Sequence, residues 1–148
     1  MHVTEAAAAD LPALCRLLVL LFEQEAEFQP DAARQEAGLR LVLADPKVGT
    51  ILVLRATDGD PVGMVLLLYT VSTFLGKRAA LLEDFVVDPA HRGHGGGGML
   101  LDAAIARAKA EGCARITLLT DVDNTGAQEL YWKKGFGVSS MRAMRLSL

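Results

Sequence analysis

HRGHGGGG, residues 91–98, is the stretch that decides the fold, because it places five glycines between two regular segments. LLEDFVV (81–87) precedes it with the composition of a strand, and MLLDAAIARAKAEG (99–112) follows with the apolar spacing of a helix. The first N–H groups of a helix lack internal partners and lie at the positive end of its dipole, and glycine lets an anion approach them. The stretch therefore predicts a diphosphate site at a helix start, with Arg92 adding positive charge.

The whole chain has the size and composition of one domain, residues 1–148. A formal charge of -3 and the absence of a Lys/Arg block argue against nucleic acid and anionic membranes as partners, so a small molecule is expected. The N-terminus lacks a secretory signal and the apolar runs are too short to span a membrane, which predicts a cytoplasmic protein. Cys15 and Cys113 lack metal-site spacing and are expected to be buried thiols, with no bound metal.

The remaining segments alternate between helical and extended patterns. Thr57 to Asp60 has the composition of a tight turn between two apolar runs, which predicts a hairpin. The strand after the glycine-led helix is expected to be parallel to 81–87, because such crossovers are right-handed. The predicted order is a helix from Asp10 to about Glu27, a helix from Asp31 to Asp45, strands 51–56 and 61–71, strand 81–87, a helix from Gly97 to Lys109, strand 114–120, a helix from Thr125 to Lys134 and a last strand 140–148.

Other phosphate-binding patterns fit the glycines less well. The Walker A pattern is excluded because Met99 and Leu100 stand where it needs Lys and Ser or Thr. Glycines 93, 95 and 98 do spell the dinucleotide fingerprint, with Asp121 about 20 residues further on. Against a dinucleotide site, five residues separate the strand from the glycines, and too little chain follows Asp121 for the second half of that fold. A flexible glycine turn would explain neither Arg92 nor the placement between strand and helix.

Two ordered motifs resemble the GNAT superfamily of N-acetyltransferases. Residues 87–97, VDPAHRGHGGG, are similar to its signature Arg/Gln-x-x-Gly-x-Gly/Ala after a strand ending in Val-x-Pro. Residues 124–136, NTGAQELYWKKGF, are similar to its second signature, N-x-x-A-x-x-L/F-Y-x-x-x-G-F. The resemblance implies an α/β (α+β) fold with a mixed, mostly antiparallel sheet, a central parallel pair of strands that splay apart, and flanking helices. Gly96 and Gly98 depart from the usual motif and are expected to weaken the packing of the helix start.

This resemblance implies that acetyl-CoA lies across the end of the sheet, with its pyrophosphate on the glycine turn and its pantetheine arm beside the strand. Strands that splay apart leave N–H and C=O groups in need of partners, and pantetheine carries two amides. An N–H near Val86 would also polarise the thioester carbonyl. The cofactor-binding residues implied are Phe85, Val86, Val87, Arg92, Gly93, His94, Gly95, Gly96, Gly97, Gly98 and Asn124.

Acetyl transfer to an amine needs a base for the ammonium proton and an acid for the departing thiolate. Tyr131 stands where the family places its acid, although an aromatic residue there would also pack the last helix onto the sheet. Glu83 is the candidate base, because burial in an apolar strand would favour proton uptake; a salt bridge is the alternative reading. Strand alternation predicts Leu81, Glu83, Phe85 and Val87 on one face, and Leu82, Asp84 and Val86 on the other.

The sequence does not decide which class of amine accepts the acetyl group. GKRAALLEDFVVDP (76–89) is similar to diamine and thialysine acetyltransferases, and a comparable strand in glucosamine-phosphate acetyltransferases points to amino sugars. Glu25, Glu27 and Asp84 are candidate substrate-binding residues, although the glutamates also suit a solvated helix face. Two alternatives stay open: a CoA-binding protein without turnover, and, by analogy with the family, a homodimer paired through the final strand.

Overall fold

The computed structural model of the protein describes residues 1–24 and 29–148. One five-stranded sheet, in the order β1-β2-β3-β4-β5, is antiparallel except for the parallel pair β4 and β5. The elements are β1 (His2–Glu5), α1 (Leu11–Phe22), α2 (Ala32–Ala44), β2 (Gly49–Arg55), β3 (Pro61–Ser72), β4 (Lys77–Val87), α3 (Gly96–Ala110), β5 (Cys113–Leu118) and α4 (Thr125–Lys133).

Local signals set most of these boundaries. The Asp31 carboxylate accepts the backbone N–H of Arg34 at 3.1 Å and thereby begins α2. The hairpin between β2 and β3 closes through the turn at Gly59, whose φ of +95° favours glycine. α3 ends at Ala110 and is followed by Gly112, whose φ of +77° is typical of the glycine after a helix. The predicted helices and the hairpin are confirmed, except that α1 ends at Phe22 rather than near Glu27, which lies outside the described residues.

The two faces of the sheet carry separate cores. One core lies under α1 and α2 and includes Leu14, Leu39, Val53 and Met64. The other lies under α3 and α4 and includes Leu67, Leu100, Ala104 and Tyr131. A mixed sheet between two helical layers is the predicted fold class, which is confirmed.

A buried ion pair connects the start of α1 to β2. The guanidinium of Arg55 donates to Asp10 Oδ2 at 2.8 Å, and the N–H of Ala7 donates to the same oxygen at 2.8 Å. Burial by itself raises the pKa of Asp10, but these two hydrogen bonds and the charge of Arg55 outweigh it and hold the pKa below its ordinary value of 3.8. Asp10 therefore stabilises the fold in its ionised form.

Two of the sequence-based expectations about the chain ends are wrong. A strand, β1, precedes the helices; it has few apolar residues and forms by pairing Val3 with Leu54, far along the chain. The expected last strand 140–148 does not form: residues 137–148 have no helix or strand and are exposed. A segment in which apolar and polar residues alternate forms a strand only where the edge of a neighbouring strand supplies hydrogen-bond partners for its backbone. Without that strand, the parallel pair lies at the edge of the sheet, so the expectation of a central parallel pair is wrong.

None of the helices within residues 1–24 and 29–148 is long and apolar enough to cross a membrane.

Candidate functional site

The parallel strands β4 and β5 separate at their C-terminal ends. Their pairing runs to Leu82 opposite Leu118, where β5 ends, while β4 continues five residues further to Val87. Beyond Leu82, β4 is therefore paired with β3 on one side and with no residue of β5 on the other. The pairing ends where the splay was predicted, and it leaves one side of β4 without a β5 neighbour directly before the glycine turn.

A β-bulge lies in β4 at this opening. The register pairs Glu83 with Leu66 but Val86 with Met64, so β4 holds one more residue than β3 between these two pairs. Asp84 is the only described non-glycine residue with positive φ, at +49°. The bulge therefore changes the direction in which the following side chains project.

This bulge overturns the simple alternation expected along β4. Phe85 and Val87 pack with Leu82 in the core under α3, although Glu83 and Phe85 were expected to share a face. Glu83 instead lies on the face of α1 and α2, because its cross-strand neighbour Leu66 belongs to that core. A strict alternation of side chains assumes a regular strand and cannot predict such a bulge, because LLEDFVV contains no residue that indicates one.

Glu83 and Asp84 differ in their surroundings. Glu83 is exposed, so the expectation that burial in an apolar strand prepares it as a base is wrong. Asp84 is half-buried at the bulge, where the chain turns from one face to the other. The candidate acceptor residues Glu25 and Glu27 lie outside the described residues.

The glycine turn prepares the start of α3 for an anion. The Asp88 carboxylate accepts the N–H of Ala90 at 2.9 Å and shapes a short turn after β4. Gly95 begins α3 in the left-handed region, with φ of +81°, and offers no side chain to cap it. The first turn of α3 also has no acidic side chain. Its first N–H groups can therefore serve a ligand, which fits a pyrophosphate.

The three glycines that follow Gly95 do not have equal roles. A Cβ at Gly96 would stand 2.6 Å from Leu54 Cδ2, so the Leu54 side chain would have to shift to make room for it. A Cβ at Gly97 would make ordinary contacts, and one at Gly98 would meet nothing within 4 Å. Gly96 is buried close to Leu54, so the expectation that it weakens the packing of the helix start is wrong.

Arg92 connects the glycine turn to β4 and to the residues that follow α1. Its Nε donates to the carbonyl oxygen of Val87 at 2.8 Å, and its Nη2 approaches Gln24 Oε1 at 3.4 Å. Gln24 follows α1 and was not recognised from the sequence, which contains no local signal for this contact. Beside the turn, exposed His94 and half-buried His91 line a cavity of about 560 Å³.

Tyr131 on α4 is buried against the continuing part of β4. Its ring lies 5.9 Å from that of Phe85 and 5.8 Å from that of Phe136, measured between centroids. Asn124, predicted to bind the cofactor, caps α4: its side-chain oxygen accepts the N–H of Ala127 at 3.3 Å. The structure thus brings Tyr131 and Phe85 to the opening, and a cofactor contact by Asn124 stays a prediction.

No group of three or more His, Cys, Asp or Glu side chains suited to a metal ion occurs within the described part of the chain.

Comparisons with known proteins agree with this geometry. Residues 11–137 match the acetyltransferase (GNAT) family. The chain is 31% identical over 139 residues to the uncharacterized N-acetyltransferase YhfO of Bacillus subtilis (strain 168), covering 92% of this chain and 89% of YhfO. A solved acetyltransferase structure from Trypanosoma brucei is 26% identical, with a TM-score of 0.74 over 99% of both chains. Glucosamine-6-phosphate N-acetyltransferase from Arabidopsis thaliana, at 18% identity and a TM-score of 0.76 over 97% of this chain and 96% of that one, shares the fold.

Proposed function

Because the chain belongs to the acetyltransferase (GNAT) family, we propose that it transfers an acetyl group from acetyl-CoA to the primary amine of a small molecule. The observation that carries this proposal is the opening between β4 and β5 beyond Leu82, beside a helix start without a side-chain cap. The reaction is placed in the cytoplasm, as the sequence predicts.

The residues at the opening fit acetyl-CoA, which supplies an activated acetyl thioester when bound. The N–H groups at the start of α3, from Gly95 to Gly98, would hold the pyrophosphate, and Arg92 would keep their turn against Val87. The backbone of β4 from Phe85 to Val87, which lacks a β5 neighbour, would hydrogen-bond the two pantetheine amides. An N–H in the same segment, near Val86, would stabilise the oxyanion.

Tyr131 is the proposed general acid. Its ring packs against the rings of Phe85 and Phe136, and the contact with Phe85 places the side chain next to the part of β4 beyond Leu82. A phenol has a reference pKa of about 10 and is protonated at neutral pH. Tyr131 would hold this proton and donate it to the departing thiolate.

Glu83 is the proposed proton acceptor. It is exposed and lies on the face of α1 and α2, whereas Tyr131 belongs to the core under α3. The two groups would serve different protons: the base takes the proton of the ammonium group, and the acid gives one to the thiolate. Because the Glu83 carboxylate is open to solvent, it would take the ammonium proton through a water molecule.

Carboxyl groups support a cationic amine as the acceptor. Glu83 and Asp84 are adjacent at the opening, where they attract an ammonium group. This charge favours a diamine or an amino acid over a phosphorylated amino sugar. The resemblance of strand 81–87 to diamine and thialysine acetyltransferases supports the same class.

The test is a screen of acetyl-CoA consumption with polyamines, amino acids, amino sugars and aminoalkylphosphonates. Consumption is measured as the release of the free thiol of CoA. Burial raises the pKa of both Cys15 and Cys113, so these thiols should contribute a slow background only. A positive screen gives thiol release that depends on both enzyme and amine. Release at the background rate with every amine would contradict the proposal.

A CoA-binding protein without turnover is the second candidate. It is favoured by the exposure of Glu83, which lacks the buried surroundings typical of an activated base. Calorimetry with CoA separates the outcomes. Binding without turnover supports this second candidate, and the absence of binding excludes both.

A further inference from the structure

The side chain of Gln35 on α2 is buried without a hydrogen bond. Only 8% of its surface is exposed, and neither Oε1 nor Nε2 of its carboxamide has a partner among residues 1–24 and 29–148. Its backbone N–H donates to the carbonyl oxygen of Asp31 at 2.9 Å, so the deficit lies in the side chain. A buried amide in this state has given up its hydrogen bonds to water and gained none, which destabilises the fold.

The other buried polar side chains in the described part of the chain are paired. Each of the three has a partner within hydrogen-bonding distance: Asp10 with Arg55, Thr50 with Tyr69, and Ser72 with the N–H of Leu75. Native cores leave few polar groups unpaired, and an exception is expected at a strained or functional position. The exception at Gln35 therefore points to a hydrogen-bonding partner outside the chain.

Gln35 lies on the face of α2 that packs onto the sheet. Leu39 and Val42 follow it at helical spacing, and both belong to the core under α1 and α2. The same core contains Leu66, the cross-strand neighbour of Glu83. Gln35 and the proposed proton acceptor are therefore on the same side of the sheet.

The outer ends of the two helices both lie at β2. α1 begins where Asp10 binds Arg55, the last residue of β2. α2 ends near the first residue of β2, because a Cβ placed on Gly49 would stand 3.2 Å from Val42 Cγ1. α1 and α2 also contact each other. The end of α1 and the beginning of α2 therefore lie together, on the side away from β2.

The end of α1 shows what these joined ends border. Gln24, just beyond α1, has its Oε1 3.4 Å from Arg92 Nη2 of the glycine turn, and α1 contacts β4. Gln35 is the fourth residue of α2. It therefore lies at the end of the helix layer that borders β4 and the proposed acetyl-CoA site.

The chemistry of a carboxamide selects the group that pairs with it. Its oxygen accepts and its nitrogen donates, so a primary carboxamide satisfies both atoms at once through two parallel hydrogen bonds. An ammonium group would pair with the oxygen alone, and a carboxylate with the nitrogen alone. Either charge would also lose its water in the apolar surroundings of Leu39 and Val42. A neutral amide is therefore the best match.

We propose that Gln35 is a specificity-determining residue that binds a carboxamide of the acceptor, while Glu83 takes the proton of the reacting amine. This inference rests on the acetyl transfer proposed for the chain and narrows its acceptor. The acceptor is an amine that carries a primary carboxamide, as an amino acid amide does, rather than a diamine or a phosphorylated amino sugar.

Binding requires the Gln35 side chain to turn toward this group, because its amide is enclosed by the surrounding chain. The turn breaks no hydrogen bond of the amide, which makes none with the described residues. Residues 29–34, directly before Gln35, are exposed, so solvent reaches the beginning of α2. The hydrogen bonds gained with the acceptor are therefore not offset by bonds lost within the protein.

The first test compares acceptors of equal length that differ in their second group. β-Alaninamide, β-alanine, diaminopropane and aminopropanol end in a carboxamide, a carboxylate, an ammonium and a hydroxyl group, and each series is extended by further methylene groups. The carboxamides should have the highest kcat/KM, by about tenfold, which is the effect of one or two neutral hydrogen bonds. A preference for any other series, or equal values for all four, overturns the proposal.

Replacing Gln35 by methionine tests the residue itself. Gln35→Met keeps the length of the side chain and removes the amide, so KM for the carboxamides should rise about tenfold while kcat changes little. KM for diaminopropane should stay the same. The melting temperature without acceptor should stay or rise, because an unpaired amide leaves the core. A variant with an unchanged KM for the carboxamides would show that Gln35 acts on the fold alone, which overturns the proposal.

Gln128→Met is the matched control. Gln128 lies on α4, and its Nε2 donates to the carbonyl oxygens of Asp121 at 2.8 Å and Val122 at 3.2 Å. Loss of this paired amide should lower the melting temperature and leave the preference among acceptors unchanged. A loss of the carboxamide preference in both variants would mean that the preference does not come from Gln35.

Binding without turnover separates this inference from the proposed function. CoA carries no acetyl group, so a thermal shift with CoA and β-alaninamide measures binding alone. β-Alaninamide should raise the melting temperature of the wild type and have a smaller effect on Gln35→Met. If no amine is acetylated, the proposed function fails, and this thermal shift then decides the role of Gln35. An equal shift in both proteins, or no shift in either, overturns the proposal.

Discussion

The ring of Tyr131 packs against the ring of Phe85 with centroids 5.9 Å apart and planes inclined at 53°. This contact joins α4 to the part of β4 that has no β5 neighbour. It therefore holds the proposed acid beside the part of β4 that is proposed to pair with the pantetheine arm.

Replacing Tyr131 by phenylalanine should lower turnover and leave CoA binding nearly intact. The ring contacts remain while the proton donor is lost, and general acid catalysis typically contributes about 10²- to 10⁴-fold. Steady-state kinetics and calorimetry with CoA measure the two effects. Tyr69→Phe is the matched control: it loses a 2.7 Å hydrogen bond with Thr50, at a cost of about 1 kcal/mol of stability, and should retain activity. Unchanged kcat in Tyr131→Phe would refute the acid role.

Replacing Glu83 by glutamine should reduce kcat/KM by roughly 10²-fold or more, since the ammonium proton then lacks its acceptor. The melting temperature should hardly change, because Glu83 is exposed. The kinetic comparison uses Glu129→Gln, an exposed carboxylate on α4, as its control. Should both variants be equally active, Glu83 is not the base.

Gly96 and Gly98 should respond in opposite directions to alanine. Gly96→Ala forces a Cβ to 2.6 Å from Leu54 Cδ2 and should destabilise the fold by about 1–3 kcal/mol. Gly98→Ala meets no atom within 4 Å and should stabilise α3 by about 0.5–1 kcal/mol. Urea unfolding without ligand measures both free energies. Equal effects of the two substitutions would show that α3 does not approach β2 as described.

Asp10→Asn should lose about 1–3 kcal/mol of unfolding free energy at neutral pH, because the partly buried Arg55 guanidinium loses its charged partner. The pKa of Asp10 is held below 3.8, so its ionised form stabilises the folded state fully above that value. This contribution is lost as pH falls through the lower pKa of the folded protein. Urea unfolding at several pH values should therefore show the variant and wild type converging in acid.

Glu36→Gln is the control for that measurement. Glu36 accepts from Arg40 at 2.6 Å, but both side chains are about half exposed, so its loss should cost under about 0.5 kcal/mol. A pH-independent difference between Asp10→Asn and wild type would mean that the Asp10 charge contributes nothing to stability.

Local sequence determined the order of most elements and the position of the glycine turn. Asp31 as a helix cap, the turn at Gly59 and Gly112 at the end of α3 act within a few residues, so the sequence reveals them without knowledge of the fold. The anion-binding chemistry of the glycine turn could likewise be predicted from the sequence, because a glycine-rich helix start has the same unpaired N–H donors in any fold.

Only the tertiary structure decided which face each site residue occupies. The bulge at Asp84 separates Glu83 from Phe85, the close packing of Gly96 involves Leu54, and β1 forms because it pairs with β2. Each of these features depends on a contact between residues far apart in the chain. Such contacts form only when the sheet assembles, and no pattern within a short segment encodes them.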